Sequence, residues 1–374
     1  MRVALVHDWL TGMRGGEKCL EALCRIWPDA HLYTLVHSPG SVSPVIDAMD
    51  IRTSFLNRVP GVRAAYRYFL PAMPAAIESF RLDGYDLVVS LSHCVAKSVR
   101  APRGALHVCY CFTPMRYAWH MREAYFGRPT LDLRSPILGL LRRWDRATAS
   151  RVTHFIAISR TVADRIRECY GRSSALIHPP VDTDFYTPAS VPRDDYYLCV
   201  SALAPYKRID LAIEACNRLG RRLVVVGAGP QLARLRSLAG PTVEFAGWQP
   251  DEVLRDHYRR CRALLFPGLE DFGIVPLEAQ ACGAPVIAFG RGGATETVIA
   301  PTATGPGTGL LYDEQSASAM VRAMQEFEAA PNTTCSELAR TNAARFCTPR
   351  FVAEIGRFMT QTIGARPQEW SVAA

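Results

Sequence analysis

No stretch of about 18 or more apolar residues occurs in the chain, so no membrane-spanning helix is predicted. The opening run, 2–10, lacks the long apolar core and small-residue cleavage site of a secretory signal. The chain is therefore expected to stay in the cytoplasm. None of the twelve cysteines forms a C-x-x-C pair, and the scatter suits reduced thiols. Cys109 and Cys111 would share one face of a strand and read as a buried structural pair rather than a zinc site. Low-complexity tracts and short-period repeats are missing, which speaks against a repeat architecture.

Half of the residues are hydrophobic (49%) and 21% are charged, an ordinary globular balance. The 374 residues suffice for two domains. Charge is skewed. Residues 1–185 hold 24 Lys and Arg against 16 Asp and Glu, whereas 186–374 hold 19 of each. A basic half faces something anionic, such as a lipid surface or a phosphorylated substrate. Nucleic acid is a poorer partner, because no reading motif is present. Between residues 52 and 81, Arg52, Arg58, Arg63, Arg67 and Arg81 alternate with Phe55, Leu56, Tyr66, Tyr68, Phe69, Leu70, Met73 and Phe80. Arginines mixed with aromatics suit a membrane interface, and reversible docking on an anionic leaflet is expected.

Strand and helix signals alternate along the chain. Val3–Val6 is a short apolar run followed by a turn over Gly12–Gly16 and a helix from about Glu17. Asp86–Ser90, Leu106–Cys111 and His154–Ile158 read as further strands. A proline-rich stretch, His178–Asp195, reads as a linker. Beyond it, Tyr197–Val200, Arg222–Val226, Val243–Phe245, Ala263–Phe266 and Pro285–Ala288 are strands of a second βα series. The last helix carries Phe351, Ile355, Phe358 and Met359 on one face. Two Rossmann-like units in tandem are the simplest architecture.

The sharpest segment is Pro267-Gly-Leu-Glu-Asp-Phe-Gly-Ile-Val-Pro-Leu-Glu278, which leaves a buried strand and opens a helix. Ligands of such sheets bind beyond the carboxyl ends of strands, where Glu270 falls. The amides of Phe272, Gly273 and Ile274 are expected at a helix N-terminus, able to donate to ligand oxygens. Glu278, inside the helix, can accept both hydroxyls of a ribose. Taken singly, either glutamate also reads as a solvated charge near a helix start. Lys207-Arg208 follows the strand Tyr197–Val200, where a cation suits a departing diphosphate. Gly12-Met-Arg-Gly-Gly-Glu-Lys18 lets backbone approach a phosphate or sugar but lacks the Lys-Ser/Thr ending of a P-loop, so an NTPase is not expected. Gly227-Ala-Gly-Pro230 begins like a dinucleotide fingerprint, yet Leu232 occupies the place of its third glycine. Asp182-Thr-Asp184 imitates a metal-binding D-x-D, but its place among prolines favours a turn.

Glu270 to Glu278 resembles the E-x7-E motif of glycosyltransferase family 4, retaining enzymes of GT-B architecture. Phe245-Ala-Gly247, Glu278-Ala-Gln-Ala-Cys-Gly-Ala-Pro-Val-Ile287, Gly292-Gly-Ala-Thr-Glu296, Ile158-Ser-Arg and Pro179-Pro-Val-Asp182 match as well. His7-Asp-Trp9, Gly15-Gly-Glu-Lys18, Ser92-His93 and Thr113-Pro-Met-Arg-Tyr117 are similar to bacterial mannosyltransferases of surface-polysaccharide assembly, lipopolysaccharide included. The resemblance implies an α/β chain of two Rossmann-like domains facing across a cleft. Residues 1–185 would bind the acceptor and 186–345 the nucleotide sugar, and 346–374 would cross back to the first domain. It implies Glu270 and Lys207 as catalytic residues, Glu270 on the donor hexose and Lys207 on the β-phosphate. Ser201, Arg208, Gly227, Trp248, Phe272, Gly273, Ile274, Val275 and Glu278 would complete the donor site. Gly15 and Gly16 would shape the donor–acceptor junction, with His93, Arg116 and Tyr117 on the acceptor side. Two positions depart from the family pattern. Ala202 stands where many members have Arg, and Phe112 where many carry a histidine that contacts the donor sugar. The expected reaction is retaining, metal-independent hexosyl transfer, mannose from GDP-mannose, to a polyprenyl-diphosphate-linked or other glycan acceptor at the cytoplasmic face of the inner membrane. No cofactor is expected. A nucleotide-sugar epimerase of the same architecture and a non-catalytic family member are the alternatives.

Overall fold

The computed structural model describes residues 1–120 and 135–363. Residues 364–374 of the expected C-terminal segment lie outside them. The chain divides into two compact units, Met1–Pro180 with the segment from Pro349, and Val181–Thr348.

The first unit is built on seven strands: β1 (Val3–His7), β2 (His31–Thr34), β3 (Asp50–Thr53), β4 (Leu87–Ser92), β5 (Leu106–Cys111), β6 (His154–Ala157) and β7 (Ser174–Leu176). All pairings are parallel, in the order β3-β2-β1-β4-β5-β6-β7. β1 and β4 are buried along their whole length, as strands covered on both faces must be. Helices α1 (Gly15–Ile26), α2 (Ser135–Thr148) and α3 (Arg160–Tyr170) flank the sheet. α1 begins earlier than the expected start near Glu17, so Gly15 and Gly16 form its first turn instead of the loop before it. Glu17 makes this possible, because its carboxylate accepts the Arg14 amide at 3.0 Å and serves the positive end of the helix.

The second unit carries β8 (Tyr197–Val200), β9 (Leu223–Val226), β10 (Val243–Gly247), β11 (Ala263–Phe266), β12 (Val286–Phe289) and β13 (Gly309–Tyr312), ordered β10-β9-β8-β11-β12-β13 and again parallel. Its main helices are α4 (Ile209–Leu219), α5 (Leu232–Leu238), α6 (Asp251–Arg260), α7 (Ile274–Ala281), α8 (Ala317–Ala329) and α9 (Ser336–Ala344). Pro276 is harmless in the first turn of α7, where an amide has no helical acceptor. The proline-rich stretch is not a free linker beyond Pro180. Tyr186 is buried, and Arg340 donates to the carbonyls of Thr183 and Tyr186 at 2.7 Å each. Asp182 closes a turn by accepting the amides of Asp184 and Phe185. The last helix, α10 (Thr348–Ile363), joins the first unit, where Phe351 packs edge-on against Tyr110 of β5. Among the described residues, no helix is long and apolar enough to cross a membrane.

Both sheets share one topology. Strand order reverses between β1 and β4 in the first unit and between β8 and β11 in the second. Loops leaving two such strands diverge to opposite faces and open a crevice at their carboxyl ends.

Candidate functional site

In the second unit, the crevice lies between the loop after β8 and the loop after β11. Lys207 sits on the first and Glu270 on the second, and Lys207 Nζ forms an ion pair with Glu270 Oε1. Both side chains are mostly shielded, at 20% and 13% exposure, so each is held by the other instead of by bulk water. Gly268 makes the meeting possible. A Cβ at that position would lie 3.2 Å from the Glu270 carboxylate and 3.3 Å from the Lys207 backbone. Lys207 also lies over the Tyr206 ring, 5.3 Å from its centroid.

The loop bearing Glu270 is clamped from behind. Glu270 pairs with Gly292 in an isolated parallel bridge, and the Gly293 amide donates to the Glu270 carbonyl at 2.8 Å. Gly292-Gly293 belongs to a segment that the sequence pattern flagged, and its role is close approach. A Cβ on Gly293 would lie 2.1 Å from Phe272 Cα, and one on Gly292 2.5 Å from the Glu270 carbonyl oxygen. From the other side Gln315 donates to the Pro267 carbonyl at 2.9 Å. The Phe272 ring is buried against Phe346, which leaves its backbone as the part that can face a ligand. Gly273, at φ +105, turns the chain into α7, and the first amides of that helix, at Ile274 and Val275, have no acceptor within it.

Gly227 and Ser201 are locked together in the same way. A Cβ on Gly227 would lie 1.9 Å from the Ser201 carbonyl oxygen, and the Gly227 amide donates to the Gly247 carbonyl at 2.7 Å. These contacts gather the ends of β8, β9 and β10 and present Trp248, 75% exposed, just beyond β10. Arg208 adopts φ 53, the one positive value among described non-glycine residues, and its guanidinium is engaged by Asp210 at 3.1 Å. Glu278 is buried in α7 and accepts the Tyr258 hydroxyl at 3.0 Å. Loss of water pushes the Tyr258 phenol well above its ordinary range, so it remains a donor.

The first unit has a matching crevice. Asp8 directly follows β1 and His93 directly follows β4, and His93 Nδ1 lies 3.1 Å from Asp8 Oδ2. Burial pushes the His93 imidazole down to about 4 against the opposing pull of Asp8. Gly16 packs against two rings that neighbour His93: a Cβ there would touch Phe112 at 3.5 Å and His7 at 3.6 Å. Arg116 lies close enough for its charge to bear on His93. Tyr117 is a core residue of the unit, packed with Met115 and Ala118. Asp8 was not among the sequence candidates. Its signal was position, immediately after the first strand of a reversing pair.

Two family models match this chain in succession. Residues 13–185 match Glycosyltransferase Family 4 and residues 182–344 match Glycosyl transferases group 1. The chain belongs to glycosyltransferase family 4. Within the family it is similar to the GDP-mannose-dependent alpha-(1-6)-phosphatidylinositol monomannoside mannosyltransferase of Mycolicibacterium smegmatis, with 34% identity over 205 residues, 46% of this chain and 52% of that protein. It is also similar to the D-inositol 3-phosphate glycosyltransferase of Kineococcus radiotolerans, with 31% identity over 207 residues, 45% of this chain and 48% of that protein. The chain spans about half the length of these curated relatives. Among solved structures, sucrose-phosphate synthase from Thermosynechococcus elongatus superposes with a TM-score of 0.72 at 19% identity over 98% of this chain and 100% of that one. Anabaena HepE in complex with UDP gives 0.70 at 17% identity over 96% and 100%. At such identities the likeness speaks for the fold, which is that of GT-B glycosyltransferases in family 4.

Proposed function

We propose that this family member transfers a hexose from a nucleotide sugar to a lipid-linked or polysaccharide acceptor, with retention of the anomeric configuration and without a metal. The observation that carries the reading is the Lys207–Glu270 pair at the crevice of the second unit, beside the amide end of α7. When a donor enters, Lys207 exchanges Glu270 for the diphosphate and stabilises the charge that develops as the glycosidic bond breaks. Glu270, released from its cation, accepts from hydroxyls of the hexose. Amides at the start of α7 supply the remaining positive potential. Glu278 holds the ribose and Trp248 offers a flat face to the base. With Glu270 read as an acceptor for hexose hydroxyls, no second carboxylate among the described residues is read as a glycosidase-like nucleophile, so attack from the face of the departing phosphate fits better, with a phosphate oxygen taking the acceptor proton.

Mannose is the hexose that the similarity to mannosyltransferases favours, with GDP-mannose as donor. Thermal-shift titration with GDP-, UDP- and ADP-sugars tests this, because a ligand selective for the native state raises the melting temperature by mass action. The expected result is a selective shift with GDP-mannose. A second donor shifting alone would reassign the base, and no shift with any nucleotide sugar would refute the activity.

We further propose that the first unit docks on the cytoplasmic leaflet. The arginine-aromatic stretch serves two purposes. Leu56, Tyr66, Leu70, Met73 and Phe80 are core residues, and Arg52 is tied to Asp50, Tyr33 and Tyr85. Among the exposed residues that remain, Arg58, Arg63, Arg67, Phe55 and Tyr68 form the docking surface, with Tyr68 at 88% exposure. Each cation adds roughly 1 kcal/mol near anionic lipid.

A further inference from the structure

We propose that His93 is an acceptor-recognition residue: its Nε2 accepts a hydrogen bond from a hydroxyl of a polyol acceptor next to the hydroxyl that reacts, and Asp8 is the positioning residue that fixes its ring. The inference rests on the glycosyl-transfer reading above. Asp8 is completely buried, and its carboxylate gathers the amides of His93, Cys94, Val95 and Ala96 at 2.8, 2.9, 2.7 and 2.8 Å. The loop after β4 is thereby wrapped around one acceptor group that follows β1. The same carboxylate faces His93 Nδ1 at 3.1 Å. A carboxylate in such a set of donors only accepts, so in the neutral ring the proton sits on Nδ1 and the lone pair on Nε2.

The ring is held from other sides too. Trp9 meets it edge-on at 4.5 Å, and His7 and Phe112 lie 6.0 and 6.3 Å away. Its side chain is nevertheless 21% exposed, whereas Asp8 has no exposure, so one edge of the ring remains accessible. The charged and titratable groups that bear on it are Asp8 and Glu17, which favour protonation, and His7 and Arg116, which oppose it. Burial outweighs the acids, and the ring is neutral at physiological pH. A neutral ring with a free lone pair reads a hydroxyl, because binding a phosphate would require the imidazolium. Phe112 lines the same wall without a polar atom, which leaves His93 to supply the directional contact there.

The test uses the full chain, GDP-mannose and octyl α-D-mannoside, together with its monodeoxy analogues. The wild type is expected to reject one monodeoxy analogue by about tenfold or more in kcat/KM, the scale of a lost hydrogen bond to a placed polar group. His93→Asn retains a donor toward Asp8 but lacks the outer acceptor, and it is expected to lower transfer to the parent mannoside while bringing that discrimination close to one. Unchanged discrimination in the variant, or equal use of all analogues by the wild type, overturns the assignment. The unmodified protein supplies a second reading: octyl mannoside is expected to shift the ¹⁵N resonance of His93 Nε2 with Nδ1 remaining protonated. No shift at saturating mannoside overturns it. Failure of the activity is distinguishable, because a wild type that transfers to no acceptor and hydrolyses no donor refutes the transferase reading before His93 is reached.

Discussion

Gly293→Ala is the substitution whose consequence follows most directly from geometry. Gly293 has φ −64 and ψ −20, values that alanine adopts without strain, so any effect arises from the added methyl group. That methyl would lie 2.1 Å from Phe272 Cα and 2.2 Å from the Phe272 carbonyl oxygen. Ordinary contact needs well over 3 Å, so backbone must separate from backbone by about 1 Å, and neither partner is a flexible side chain. The loop that moves is the one holding Glu270 against Lys207. Overpacking of this kind costs about 1–3 kcal/mol, which in a unit of this size lowers the melting temperature by several degrees. Displacing a positioning group by about 1 Å costs on the order of 10²-fold in rate. Gly305→Ala is the matched control, because no atom lies within 4 Å of its Cβ position. Thermal melts and donor titrations of both variants make the comparison. Wild-type stability and donor affinity in Gly293→Ala would refute the clamp.

Stability should fall as pH drops from 7 to 5, before most carboxylates titrate. His93 and His107 are both pushed from 6.5 down to about 4 by burial, so the unfolded chain binds protons first and acid favours it. Each should remove about 2 kcal/mol over that interval, and urea unfolding with equal free energies at the two pH values would contradict this. Lys97→Met should destabilise the first unit by about 3–5 kcal/mol, because Asp145, fully buried and 2.9 Å from the ammonium, would lose its countercharge; an unchanged unfolding midpoint would refute the pair's role. Flotation with anionic vesicles at low salt should recover the protein, and replacing Arg58, Arg63 and Arg67 by Glu should abolish recovery. Equal recovery of both would remove the docking surface.

Both halves of the fold were legible where strands are apolar runs, as in β4, β8, β9 and β11. β2 and β3 were missed because polar residues break the apolar run: β2 reads His-Leu-Tyr-Thr, and β3 reads Asp-Ile-Arg-Thr at the sheet edge, with no buried face to pattern it. β13 opens with Gly309, which weakens a strand in sequence, yet here a Cβ would lie 1.9 Å from the Val286 carbonyl oxygen, so glycine permits the pairing. In the second unit, Lys207 and Glu270 could be found because both follow strands that the sequence reveals. Their contact could not, because it depends on strand order and on Gly268. Asp8 escaped for a related reason: an acid after an apolar strand looks solvated until β4 is placed beside β1. The arginine-aromatic stretch was legible only as a whole, since short helical turns divide it between core and surface without a readable period.

The central claim is that Lys207 and Glu270 together grip a nucleotide sugar, one by its diphosphate and the other by its hexose. Calorimetric titration of GDP-mannose and GDP into the wild type, Lys207→Met and Glu270→Gln separates the two roles. Lys207→Met should weaken both ligands by tenfold or more, as loss of a charge-assisted contact does, whereas Glu270→Gln should reduce the preference for GDP-mannose over GDP. Wild-type affinities for both ligands in both variants would contradict the account.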